Sequence, residues 1–242
     1  MISLEWVEGR KVYGLLRSIQ NLPGSRRTRL LAVAFCDRVA HFLPNEESRE
    51  WIEVARRYAD KKASRAEMVA NHAEADRAYS KTCEASDWLQ GLAAAAQLAL
   101  QAVMGTVRPT NRYYAGGVAE SAAHAAGLAV DCNTSEVYGI PVSDPLALAA
   151  ESAAQLQLLR DVLGRPDGLS LSQMSDSIAW QGGLVPKLAR SIYDDRAFDQ
   201  MPILGDALED AGCGDDAILA HCRSPGPHTR GCWVVDLILG KQ

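Results

Sequence analysis

Aromatic residues are scarce in this sequence. Three Phe, seven Tyr and five Trp make up 6% of 242 residues, although 48% of the chain is hydrophobic. Alanine makes the difference: there are 37, and 18 lie between Ala93 and Ala154. A basic excess is also missing. The net charge is −5 and the pI about 5.6, which counts against general nucleic-acid binding. Gly and Pro, 19 and 10 in number, follow no period, which excludes a collagen-like chain. A charged fraction of 23% among many aliphatics argues against wholesale disorder. Long apolar runs are absent too. The longest uncharged stretch, Trp88–Val107, carries Gln90, Gln97 and Gln101 on one helical face. That pattern fits an amphipathic helix, not a lipid span of ~20 apolar residues. Glu5 and Glu8 interrupt any secretion-signal pattern, so the six cysteines are expected reduced, in a cytoplasm. There is no P-loop, Gly-rich dinucleotide turn, Gly-x-Ser-x-Gly or His-Glu-x-x-His.

What is present is helix signal. Leu15, Leu16, Ile19 and Leu22 give a first apolar side, stopped by Pro23-Gly24. From Arg26 to Leu43 there are two stripes: Leu31, Phe35, Val39 and Phe42, then Val33, Cys36, Ala40 and Leu43. Two stripes predict a helix buried on most of its circumference. Asn45 is an N-cap ahead of Glu46 and Glu47, with Trp51, Ile52, Ala55, Tyr58 and Ala59 as the apolar side. Ser64 and Glu67 have capping-box spacing and open a surface helix of about 20 residues. The Ala-rich runs Leu89–Val103 and Val118–Val130 flank a loop at Arg108–Asn111. Asp144-Pro145 starts a helix with Leu148, Leu156, Leu159 and Leu163 inward, ending at Gly164.

A Pro/Gly/Ser-rich linker at Arg165–Gln173 then separates residues 1–164 from a C-terminal helical module at 174–242, although the two are able to pack as one domain. In this module Pro186–Tyr193 has Leu188, Ala189 and Ile192 inward. Pro202–Ala211 has Ile203, Leu204, Ala207 and Leu208 inward, with Gly212 at C′. Asp215 or Asp216 caps Ala217–Cys222. Trp233–Leu239 reads equally as helix or strand. The fold class is all-α, an irregular bundle or solenoid-like array.

Charge is unevenly placed. Thirteen basic against eight acidic residues lie in Met1–Arg65, and eight acidic against Arg196 alone in Tyr193–Asp216. The plain reading is two solvated faces. The sharper one is a basic face at Arg26, Arg27 and Arg29 for an acidic protein partner, with Arg223 and Arg230 as further candidates.

The densest chemistry is Cys213, His221, Cys222, His228 and Cys232, interspersed with Arg223, Arg230 and Pro225-Gly226-Pro227. Zinc takes four Cys/His ligands, so Cys213, His221 or Cys222, His228 and Cys232 are a candidate set; their spacing is irregular, with no Cys-x-x-Cys knuckle. Cys222 or Cys232 beside His228 would instead make a thiolate–imidazole nucleophile. The leading alternative is structural. In it the cysteines are small buried groups, Trp233 is a core anchor, and Arg223 and Arg230 pair with Asp215, Asp216 or Asp236. Glu120 with His124, and His72 with Asp76, have i,i+4 spacing and read as solvated or capping pairs. His41 reads as a helix-end dipole partner.

The stretch from Ile192 through His221-Cys-Arg-Ser-Pro-Gly-Pro-His228 to Lys241 resembles a C-terminal module of a large paralogous group of planctomycete proteins. Arg29–Asp60 resembles that group's N-terminal module. The linker departs from the Asn-Pro-Phe-Arg-Pro sequence often seen there. The resemblance implies a helical bacterial protein and brings no catalytic residues. The expected function is therefore a non-catalytic cytoplasmic interaction or scaffold module. The alternatives are a Cys/His-dependent enzyme or zinc-stabilised domain, and nucleic-acid binding through the basic N-terminal helices.

Overall fold

The computed structural model describes residues 25–84, 145–164 and 183–241, with further helical positions between Ala99 and Ala125. The elements read at Leu15–Leu22, Arg108–Asn111 and Arg165–Gln173, and the Glu120–His124 pair, lie outside the described residues. The described residues include the α-helices α1 Ser25–Val39, α2 Glu46–Ala59, α3 Arg65–Glu84, α4 Pro145–Leu163, α5 Leu184–Asp195, α6 Met201–Asp210, α7 Asp216–Arg223 and α8 Trp233–Leu239. Single 3₁₀ turns occupy Ala40–Phe42 and Phe198–Gln200. No strand occurs among the described residues, so the fold is all-α, and Trp233–Leu239 is helix. The chain divides into two compact units, one containing Leu4–Leu156 and the other Gln157–Gln242; the division falls inside α4.

In the first unit α2 packs against both α1 and α3, and α1 is buried on most of its circumference. Every residue from Leu30 to Cys36 is buried, as its two stripes predicted. Asn45 caps α2 by accepting from the Ser48 amide at 2.9 Å. The α2 face carries Trp51, Ile52, Ala55 and Ala59 inward. Ser64 caps the Glu67 amide at 3.1 Å, which is the serine half of the predicted box. The helix it opens, α3, buries only one edge, through Met68, Asn71 and Ala75. The alanine-rich centre contributes Ala99, Ala102, Ala119, Ala122 and Ala125, all buried. Each brings helix propensity and close approach but little area.

Polar groups tie this unit together where apolar anchors are few. Arg56, 4% exposed, reaches Asp37 at 2.7 Å and Glu53 at 2.9 Å. Arg38 forks onto Glu151 at 2.8 and 2.9 Å, and Gln155 donates to the Ala119 carbonyl. The face of α4 therefore differs from the leucine stripe expected. Leu158, Leu159 and Val162 are buried along with Glu151, Gln155 and Asp161, while Leu148, Leu156 and Leu163 are half-buried. The rotation is possible because each of those polar groups meets a partner; without one, its burial would be costly.

Cys36 is fully buried, with its Sγ 3.1 Å from Thr106 Oγ1. Burial pushes its thiol up to about 12 from an ordinary 9.0; the Thr106 hydrogen bond opposes the rise and Asp37 adds to it. The folded chain thus holds a proton that the unfolded chain releases above pH 9. This contribution is whole below pH 9 and is lost as pH rises toward 12, at about 1.4 kcal/mol per pH unit. Urea unfolding at pH 9 and 11 is expected to show wild type losing about 2 kcal/mol more than Cys36→Ala. Parallel pH profiles would refute the buried-thiol account.

In the second unit α5 to α8 enclose a core of Ile192, Tyr193, Met201, Leu204, Leu208, Ile218, Val234 and Val235. A Schellman motif closes α6. Gly212, at φ +89, donates to the Glu209 carbonyl at 2.9 Å, and Cys213 donates to Leu208 at 2.9 Å. The buried face of α6 is Met201, Leu204, Gly205 and Leu208; Ile203, read as inward, is 57% exposed. Gly205 explains the shift. A Cβ there would lie 3.0 Å from Cys222 Cβ, so the bare backbone of this position is what meets α7. Asp215 caps α7 through the Ala217 and Ile218 amides.

Candidate functional site

Asp161, His221, His228 and Cys232 converge in the second unit. One potential ligand atom from each lies within 4.8 Å of all the others. Asp161 stands in the last turn of α4, and His221 in the last turn of α7. His228 lies in the irregular segment that follows, and Cys232 occupies the N-cap position of α8. Asp161 and Cys232 are 2% and 0% exposed. The Trp233 ring closes over His221 at a centroid distance of 5.1 Å, and the two imidazoles meet edge-on at 4.8 Å.

The geometry is specific. Asp161 Oδ1 is 2.7 Å from His228 Nδ1 and 3.2 Å from His221 Nε2. Asp161 Oδ2 accepts from the Thr229 amide at 2.9 Å. His221 Nε2 is also 3.2 Å from Cys232 Sγ. Burial alone would push the Asp161 carboxyl up. Hydrogen bonds from His221 and His228, with their charge, outweigh it and hold the group below the ordinary carboxylate value. Burial raises the Cys232 thiol well above its ordinary value, and the Asp161 charge adds to this.

The tautomer of His228 follows from its neighbours. Nε2 faces the Ser224 carbonyl and Ser224 Oγ, both at 3.3 Å. A carbonyl only accepts, and the Ser224 hydroxyl already donates to the His221 carbonyl at 2.8 Å. Nε2 therefore carries hydrogen, and Nδ1 is the nitrogen that faces Asp161, with a proton shared between the two.

Three of the five predicted Cys/His candidates, His221, His228 and Cys232, thus meet. Cys213 and Cys222 instead line the apolar core, and burial pushes the Cys222 thiol up to about 12. Asp161 was not among the candidates. Its signal in the sequence is an acid in the last turn of an apolar helix, where the macrodipole disfavours it. His72 and Asp76 join no group of metal-capable donors among the described residues.

The candidate arginines also acquire places. Arg26 pairs with Asp60 at 3.1 Å, and Arg29 donates to the Thr106 carbonyl while its guanidinium covers the Tyr58 ring. Arg27 is half-buried. Arg223 pairs with Asp206 at 2.8 Å and with Glu209, acids of α6 and not Asp215, Asp216 or Asp236. Asp215 is taken up by its cap, and α6 is the helix against which α7 packs. Arg230 donates to the Tyr193 and Asp194 carbonyls, both at 3.0 Å. No helix among the described residues is long and apolar enough to cross a membrane. No protein-family model, curated protein or solved structure matches the chain.

Proposed function

We propose that this protein acts without catalysis, as a cytoplasmic helical module whose folded surface is read by a protein partner. One observation carries the reading: the four cysteines whose side chains are described, Cys36, Cys213, Cys222 and Cys232, are all buried. A nucleophile needs an accessible thiolate, and three of these thiols are pushed toward the protonated form by burial. Arg26, Arg29, Arg223 and Arg230 serve as ties within the fold, and Arg223 also remains exposed to a partner. The resemblance of Ile192–Lys241 to a planctomycete module belongs to the same reading.

Native labelling with iodoacetamide at pH 7.5, resolved by peptide mass, tests the first half. The four thiols are expected to react at least ~100-fold more slowly than in urea. A thiol among them that reacts faster than the unfolded chain overturns the reading. Affinity capture with cross-linking at rising salt tests the second half. Saturable cross-links to one protein support it. Capture of nucleic acid alone, falling steeply with salt, replaces it by the nucleic-acid alternative.

A further inference from the structure

Two imidazoles, a thiol and a carboxylate are the donor types of a tetrahedral zinc site. Bonds of about 2.0–2.3 Å put tetrahedral donors roughly 3.3–3.7 Å apart. The cluster already has two edges of 3.2 Å, from His221 Nε2 to Asp161 Oδ1 and to Cys232 Sγ. A third, Asp161 to His228, is 2.7 Å and has to open by about half an ångström, and the remaining three lie within 4.8 Å. From these donors we propose that Asp161, His221, His228 and Cys232 form a closed, four-coordinate zinc centre that braces the second unit.

Five further points support the assignment. His228 presents Nδ1 inward because Ser224 occupies Nε2 as an acceptor, the outer hydrogen bond that metal-bound histidines ordinarily make. The Thr229 amide holds the second Asp161 oxygen, which orients the carboxylate. One carboxylate and one thiolate balance a divalent cation, so a buried centre carries no net charge. The soft sulfur and the two nitrogens disfavour magnesium and calcium, which take oxygen ligands. Burial of Asp161, His228 and Cys232, with Trp233 over His221, leaves no wet fourth position, so the centre is structural and not hydrolytic. On binding, the Cys232 thiol proton and the proton between Asp161 and His228 pass to solvent, and His221 carries its remaining hydrogen on Nδ1 so that Nε2 is free to ligate. The centre stands independently of the surface the protein presents to a partner.

The test uses the full chain, produced with zinc and analysed by elemental mass spectrometry. About one zinc per chain is expected. His221→Ala and Cys232→Ala should fall below ~0.2 per chain, while Cys213→Ala and Cys222→Ala keep the metal. Chelation should lower the melting transition by about 10 °C. Because a cluster variant can fail to fold, the wild type is also loaded with cobalt(II). Intense visible bands of a tetrahedral ion with a thiolate charge-transfer band are expected. Wild type below ~0.2 zinc per chain with unchanged melting under chelator overturns the proposal. So does a weak octahedral cobalt spectrum without the thiolate band, or zinc that survives Cys232→Ala and is lost in Cys213→Ala.

Discussion

Replacing Gly164 with alanine is expected to destabilise the second unit by about 3 kcal/mol, whereas Gly240→Ala costs about 1 kcal/mol. The two glycines share a left-handed backbone, at φ +68 and +62. Any Cβ is disfavoured there by 1–2 kcal/mol. They differ in what the Cβ would meet. At Gly240 nothing lies within 4 Å, while at Gly164 the added atom would sit 2.8 Å from Trp233 Cγ and 3.0 Å from Trp233 Cβ. Those are the root atoms of a buried indole, not the end of a flexible side chain, so relief requires movement of α8 itself. Overpacking of this kind adds about 1–3 kcal/mol. Urea unfolding of both variants measures the difference. Equal losses would show that the contact between Gly164 and Trp233 is not what holds the end of α4 against α8. The same contact lies three residues from Asp161 and one from Cys232, so Gly164→Ala also disturbs the cluster.

The second large effect is expected at Asp161. With chelator present, Asp161→Ala should lose about 3 kcal/mol, because it removes one side of a buried polar network while leaving the other side in place. His221, His228 and the Thr229 amide all direct polar atoms at this carboxylate. Alanine gives them no acceptor, and the buried site admits little water. Asp161→Asn keeps an oxygen for the Thr229 amide and should lose about half as much. A loss below 1 kcal/mol for the alanine variant would mean that the histidines find other partners and that the carboxylate does not brace α4. The chelator separates this test from metal binding, which the zinc content of the wild type decides by itself.

Much of the fold is legible in the sequence because helix signals are local. The double stripe of α1 needs only a 3.6-residue period, and all residues from Leu30 to Cys36 are indeed buried. The Asn45 and Asp215 caps and the Gly212 stop act within one turn of their own backbone, so neighbouring residues suffice to read them. Trp233–Leu239 shows the limit. Seven residues fit either period, and packing onto α5 and α7 makes them a helix.

The site is less legible, for a physical reason. Five Cys/His residues near the C-terminus are visible as a cluster in sequence, but which of them meet depends on the direction each helix face takes. Cys222 and His221 are adjacent, and on a helix adjacent residues point about 100° apart. Tertiary packing sends Cys222 into the core beside Gly205 and leaves His221 to face Asp161. Asp161 itself comes from α4, far upstream, and no spacing rule connects it to His228. The scarcity of rings and the excess of alanine by themselves determined a helical chain with thinly anchored contacts. Only the tertiary structure decided that polar groups such as Arg38 with Glu151, and Asp161 with two histidines, would do the anchoring, because a buried charge is tolerated only where packing brings its partner within hydrogen-bond reach.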